Sequence, residues 1–283
     1  MGHTADGVRL ARRPPLGGRH RADTPCWSPL RALVVLLLVD LDPELAALRP
    51  LGGFFVLRTG EPPRAPLPTL AQVYDDAATA PGEHPLAVRV RKVADGIRAP
   101  EARVAASVAQ QALMARLWSA VLGCAVRYGR IPDLDPRLLH WDPAGSAPDD
   151  LWLARVHALP ADADTIADVV LHGHVEPLAA ALRARHRLAV GLSRGNAASA
   201  LAGAARQLVR GTREDGHPEA GDHARDLAAR LIAHPLLAGT GTLDGTDFRR
   251  RSCCLYYRVP GGGVCGDCCF PRAPRSSPRA ASG

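Results

Sequence analysis

Glu101–Cys124, EARVAASVAQQALMARLWSAVLGC, decides the fold class of this 283-residue chain. Val104, Val108, Leu113, Leu117 and Val121 return at steps of four or five, the repeat of one helical face. Arg103, Gln110 and Arg116 fall largely off that stripe. Pro100 stands just ahead, so the expectation is a long helix from Glu101 to about Cys124, with Trp118 and Cys124 in the core.

Toward the C-terminus, helical stretches follow at Leu178–Leu188, Ala197–Val209 and Ala224–Ala233, the last ending before Pro235. Gly191–Asn196 reads as a break between the first two, and polar, Gly-containing Arg210–Gly221 as an exposed loop. Toward the N-terminus, Thr69–Tyr74 has the look of a capped helix, and Asp42-Pro43-Glu44 of a helix start. Trp152–His157 and Ile166–Leu171 read as strands, Leu51–Leu57 as a short strand or buried turn, and Glu61–Pro68 and Pro132–Asp150 as loops. The fold class expected is mainly α with a small β component (α+β). A helical body spans 41–247 and a Cys-rich segment 248–270, between a disordered extension at 1–40 and a disordered tail at 271–283.

A hydrophobic share of 47% argues against a wholly disordered chain. Lys+Arg is 35 against Asp+Glu 28, a net charge of +7, and Lys92 is the one lysine. Acidic residues are interspersed among the arginines, so there is no long basic stripe and nucleic acid is not an expected partner. The longest apolar run, Ala32 to Val39, falls well short of the roughly 18–20 residues of a membrane span. The Arg-rich start is followed by no small-residue cleavage site, so the expected location is cytoplasmic and reducing.

Five of the seven cysteines, 253, 254, 265, 268 and 269, crowd into RRRSCCLYYRVPGGGVCGDCCF (249–270). In a reducing compartment such clusters read as metal ligands or redox thiols before disulfides. Two adjacent side chains diverge from the backbone, so Cys253 and Cys254 reach two metal centres more readily than one. A [2Fe–2S] group, with two protein ligands on each iron, suits this better than a zinc site built from two CxxC pairs. Zinc and redox thiols stay open as alternatives. Gly261-Gly262-Gly263 lets the backbone turn sharply beside such a group. His172 and His174 form a weaker candidate ligand pair, Asp75-Asp76 and Asp149-Asp150 read as loop charges or helix caps, and Gly239–Gly245 lacks the lysine and spacing of a phosphate loop.

The motif Cys253-Cys254, ten residues, Cys265, two residues, Cys268 resembles the C-terminal signature of the ferric iron reductase FhuF-like family, as does Gly195-Asn196-Ala-Ala-Ser199 upstream. The resemblance covers roughly residues 40–270, and the Cys motif is its specific part. It implies a ferric-siderophore reductase with a FhuF-like helical body at 41–247. Cys253, Cys254, Cys265 and Cys268 would ligate a [2Fe–2S] cluster in the segment 248–270. A ferric siderophore is then the substrate, and an external donor such as a ferredoxin or flavoprotein supplies the electron, since the chain has no dinucleotide fingerprint. Cys269, directly after the last expected ligand, departs from the family pattern, as does Arg194 before Gly195-Asn196. Arg249, Arg250, Arg251 and Arg258 flank the motif and are candidates for steering an anionic chelate or an acidic donor. A scaffold protein holding structural zinc and an iron–sulfur sensor are the competing functions.

Overall fold

The computed structural model describes residues 45–62, 66–75 and 83–274. The expectations for residues 1–40, Ala32–Val39, the helix start at Asp42-Pro43-Glu44, Asp76 and the far end of the tail lie outside these residues, as does part of the loop Glu61–Pro68.

Residues 45–47 are helical, and a 3-10 turn, Arg49–Leu51, leads into the turn at 53–55 rather than a strand. β1 (Arg58–Thr59) follows. α1 (Leu70–Tyr74) is closed at its start by a reciprocal cap: the Gln72 N–H donates to Thr69 Oγ1 at 3.3 Å and the Thr69 N–H to Gln72 Oε1 at 2.8 Å. α2 (Pro85–Ile97), which no sequence signal had singled out, starts on Pro85. α3 (Ala102–Tyr128) runs four residues beyond the expected end and stops at Gly129, where φ of 64° suits glycine.

Pro132–Asp150 is not all loop, because β2 (Arg130–Pro132) ends on its first residue and β3 (Leu139–Trp141) lies in its middle. β4 (Leu151–Leu153) covers only the first part of the expected strand at Trp152–His157, and β5 (Ala158–Pro160) follows it. β1 runs parallel to β4, β3 antiparallel to β4, and β2 antiparallel to β5.

The expected strand at Ile166–Leu171 is helical instead. α4 (Ala163–Ile166) passes through a π-helical stretch, Ala167–Val175, into α5 (Glu176–His186). Ile166 and Val170 are buried by helix packing, with Val169 partly so, and this overrides strand propensity. α6 (Val190–Glu214) absorbs both Gly191–Asn196 and the first part of the expected loop Arg210–Gly221, and α7 (Pro218–Ala233) begins within that loop. β6 (Gly241–Asp244) and β7 (Asp247–Arg250) make a hairpin over the stretch set aside as no phosphate loop, and the hairpin delivers the chain to the cysteines. The outcome is α+β with a Cys-rich C-terminal segment, as expected. Among the described residues no helix is long and apolar enough to cross a membrane.

α3 is the central helix, packed chiefly against α6, with α2 beside it and α7 behind α6. It is buried nearly all round, so residues off the apolar stripe are buried too. Trp118 and Cys124 are in the core as expected. Arg116 is 2% exposed and pairs with Asp150, itself 6% exposed, at 3.2 Å. Arg116 also donates to the carbonyls of Gly53, Phe54 and Pro148, so its fork is matched by acceptors. Arg89 reaches the same carboxylate at 3.4 Å. Burial pulls the Arg116 pKa down and Asp150 pushes it back up. Asp150 is therefore no loop charge.

His174 is fully buried, with Nε2 2.6 Å from the Leu134 carbonyl and Nδ1 2.8 Å from the Tyr74 hydroxyl. These contacts suit a neutral ring that donates from Nε2 and accepts from Tyr74, so both nitrogens are engaged. His172 instead pairs with Glu176 at 2.7 Å, and the two histidines do not form a ligand pair.

Arg116→Met leaves Asp150 buried with one weaker partner and is expected to cost about 3–5 kcal/mol in urea unfolding. Arg91→Met, at an exposed and solvent-screened pair, is expected to leave the urea midpoint nearly unmoved. Burial holds the His174 pKa down to about 4, against 6.5 for an unperturbed ring. A ring more easily protonated when unfolded stabilises the fold fully above pH 6.5, and that contribution is lost as pH falls toward 4. The loss amounts to about 3 kcal/mol at the acid end. Unfolding midpoints measured from pH 7 to 4 should fall more steeply for the parent than for His174→Gln.

Candidate metal centre

The hairpin β6–β7 fixes where the Cys segment starts. Phe248 is buried in the main core, and the Arg250 N–H donates to the Asp267 carbonyl at 3.0 Å, joining the end of β7 to the Cys265–Cys268 turn. Gly195 on α6 lets the chain through: a Cβ there would stand 2.5 Å from Ser252 Oγ. The Ser107 hydroxyl of α3 donates to the Cys254 carbonyl at 2.7 Å. Immediately after, Leu255 takes a left-handed conformation with φ of 70°, which non-glycine residues rarely adopt. This turn brings the Leu255 N–H to 3.2 Å from Cys253 Sγ.

The Gly-rich return works by close approach. Gly261 has φ of 73°, and a Cβ on Gly262 would meet the Tyr256 carbonyl oxygen at 2.6 Å. Cys265 is thereby returned to Cys254, with their sulfurs 3.5 Å apart. Two thiolates sharing one tetrahedral metal at about 2.3 Å stand about 3.8 Å apart, so this pair has the spacing of two ligands on one ion. The Cys268 N–H donates to the Cys265 carbonyl at 3.1 Å, and the Phe270 N–H to Cys268 Sγ at 3.4 Å. Tyr257 and Phe270 close the segment edge to face, with centroids 5.9 Å apart.

The Cys254–Cys265 hydrogen bond holds the Cys254 thiol down to about 7 and pushes the Cys265 thiol up. Burial raises Cys253 and Cys269. Among the described residues no three His, Cys, Asp or Glu side chains converge on one point as a single ion would require. The Cys254–Cys265 pair has the spacing to share one metal, and a two-iron group takes two such pairs.

The four flanking arginines have separate fates. Arg249 and Arg251 are exposed, and Arg258 is tied to Glu101 at 2.7 Å. Arg250 is 2% exposed, which withdraws it from steering anything in solvent. It lies near enough to Cys254, Cys265 and Cys269 to favour their thiolates. Its guanidinium donates to Asn196 Oδ1 and, at 3.4 Å, to Gln111 Oε1. Asn196 in turn donates to the carbonyl and hydroxyl of Ser107, each at 3.0 Å. Arg250 Nε is buried without a hydrogen-bond partner among the described residues. A buried cation with a spare donor beside crowded thiols fits an anionic metal–sulfur group.

Asp267 escaped the sequence reading. Its carboxylate accepts from Ser199 Oγ at 2.6 Å and pairs with Arg206 at 3.0 Å, so α6 holds the Cys265–Cys268 turn from below. The available signal was its place inside that turn. Ser107 and Gln111 escaped the sequence reading too, although with Gln110 they put three polar residues close together on a largely buried helix, which is a signal.

No curated protein matches the chain. Among family models, the one described as the FhuF 2Fe-2S C-terminal domain matches residues 250–270, which begin at Arg250 and contain all five clustered cysteines. The Cys-rich end is thus similar to the [2Fe–2S]-binding C-terminal domain of FhuF proteins, and the similarity is carried by that segment.

Proposed function

We propose that this protein is a ferric-siderophore reductase in the cytoplasm, passing one electron to siderophore-bound Fe(III). The match of residues 250–270 to the FhuF [2Fe–2S] domain carries this reading. Siderophore oxygens hold Fe(III) far more tightly than Fe(II), and each tenfold preference lowers the chelate's potential by about 59 mV. Reduction therefore loosens the iron. One electron leaves an external ferredoxin or flavoprotein and one reaches the ferric ion, so the donor is oxidised as the iron is reduced. A [2Fe–2S] cluster, when bound, supplies single-electron transfer at a potential set by charge, hydrogen bonds to sulfur and burial.

The chain's own residues provide those settings. Cys253, Cys254, Cys265 and Cys268 hold the cluster, and Cys269 is spare. The Leu255 and Phe270 N–H groups donate to Cys253 and Cys268, stabilising negative charge on sulfur. Arg250 offsets the charge of four thiolates from within the protein, and Asn196 and Gln111 hold it in position.

Protein purified without oxygen is expected to be coloured, to hold about two irons per chain, and to reduce ferric siderophores in the presence of a ferrous trap. Cys265→Ser should abolish colour and reduction, and Cys269→Ser should leave both unchanged. A colourless protein with one zinc would make the site structural. A coloured protein that reduces no ferric chelate would be a sensor. Iron lost in Cys269→Ser and kept in Cys268→Ser would transfer the fourth ligand to Cys269. Arg250→Gln should lower the midpoint potential by tens of millivolts in a redox titration, and Arg249→Gln should leave it unmoved.

A further inference from the structure

The seam between α3, α6 and the turn at 53–55 is open on the side of the cysteines. One cavity of about 450 Å³ lies there, bounded by Phe54, Gln111, Ala115, Gly203, Gln207 and Cys265. A second, of about 360 Å³, continues it past Ala112 to Cys254 and Tyr256. The two share Phe54, Gln111, Ala115 and Cys265, so they form one cleft, and the sulfur pair 3.5 Å apart stands in its wall. Among the described residues the exposed large hydrophobics are Phe54, Tyr256 and Val264, and the first two flank this cleft.

We propose that the ferric chelate docks in this cleft, against Cys265 and between Phe54 and Tyr256. The inference rests on the reductase reading and adds to it the place of the substrate. Three observations choose the occupant. The volume is of the scale that encloses a small molecule, whereas a protein donor needs a broad face of roughly 800 Å² per partner. The lining sets Ser119, Gln111, Gln207 and the paired Arg206 and Asp267 among apolar residues, a mixed wall that matches a ligand whose iron is wrapped in oxygen acceptors on a carbon frame. The cleft also passes directly over the Cys254–Cys265 pair, so a chelate seated there is at contact range of the metal ligands.

Gly203 supplies the test. It borders the larger cavity, and a Cβ at this position would meet nothing within 4 Å, so a large side chain there enters the cleft without disturbing the core. Within a helix, replacing glycine also removes a local weakness. Gallium(III) chelates of hydroxamate, catecholate and carboxylate type match the ferric complexes in charge and shape and cannot be reduced. Titrated into the iron-loaded protein, the chelate that the parent binds most tightly should bind Gly203→Phe at least tenfold more weakly and Gly203→Ala nearly as the parent. The visible spectrum and midpoint potential should be unchanged in both variants. Equal affinity in parent and Gly203→Phe, with the parent reducing ferric chelates, would overturn the docking site and leave the reductase reading standing. A parent that reduces no ferric chelate would remove both.

Discussion

Crowding five sulfurs, one buried and four half-buried, against the side of a helical body makes negative charge on them costly, and the arrangement around them answers that constraint. Arg250 is the counter-charge. An isolated buried guanidinium would be as costly as isolated thiolates, and each offsets the other only if both are held in register. The register comes from neutral groups. Asn196 on α6 and Gln111 on α3 accept from Arg250, and Asn196 spends its own donors on Ser107, whose hydroxyl holds the Cys254 carbonyl. One hydrogen-bonded chain thus runs from the cation through Asn196 and Ser107 of the central helix pair to the Cys254 carbonyl.

A parallel chain fixes the second pair. Asp267 lies between Cys265 and Cys268, and Ser199 and Arg206 of α6 hold its carboxylate. The Asp267 carbonyl accepts from the Arg250 N–H, which closes the two chains into a loop. α3 therefore positions the first cysteines and α6 the later ones, and the packing of these two helices sets the separation of the sulfurs. The body is part of the metal site even though it contributes none of the clustered cysteines.

The parts of this arrangement that the sequence displayed are those governed by local rules. The α3 helix was legible because a run of helix formers follows Pro100 with apolar residues at helical spacing, and the α1 cap because Thr69 and Gln72 stand at capping-box distance. The cysteine spacing was legible because it is a covalent pattern. What could not be read depended on partners far away in the chain. Arg116 looked like a solvent-facing residue because its acceptor, Asp150, is 34 positions distant. Gly191–Asn196 looked like a break because two glycines in six residues weaken a helix, yet Gly195 is there to admit Ser252. The β-branched residues at 166–171 suggested a strand until core packing made the same segment helical.

The same reasoning separates the four arginines, which sequence position alone made equivalent. β7 alternates exposed and buried residues, so Arg249 faces out and Arg250 in, as the period of two requires. A one-residue change of register in the hairpin would bury Arg249 instead and leave the thiolates without their cation. That register is pinned by pairing Gly241 with Arg250, and a Cβ on Gly241 would stand 2.4 Å from the Arg249 carbonyl oxygen and the Phe248 ring. Phe248, seated in the core beneath that glycine, holds β7 in the phase that turns Arg250 inward. The charge balance of the metal site is thus decided before the first cysteine, by a hairpin that contains none.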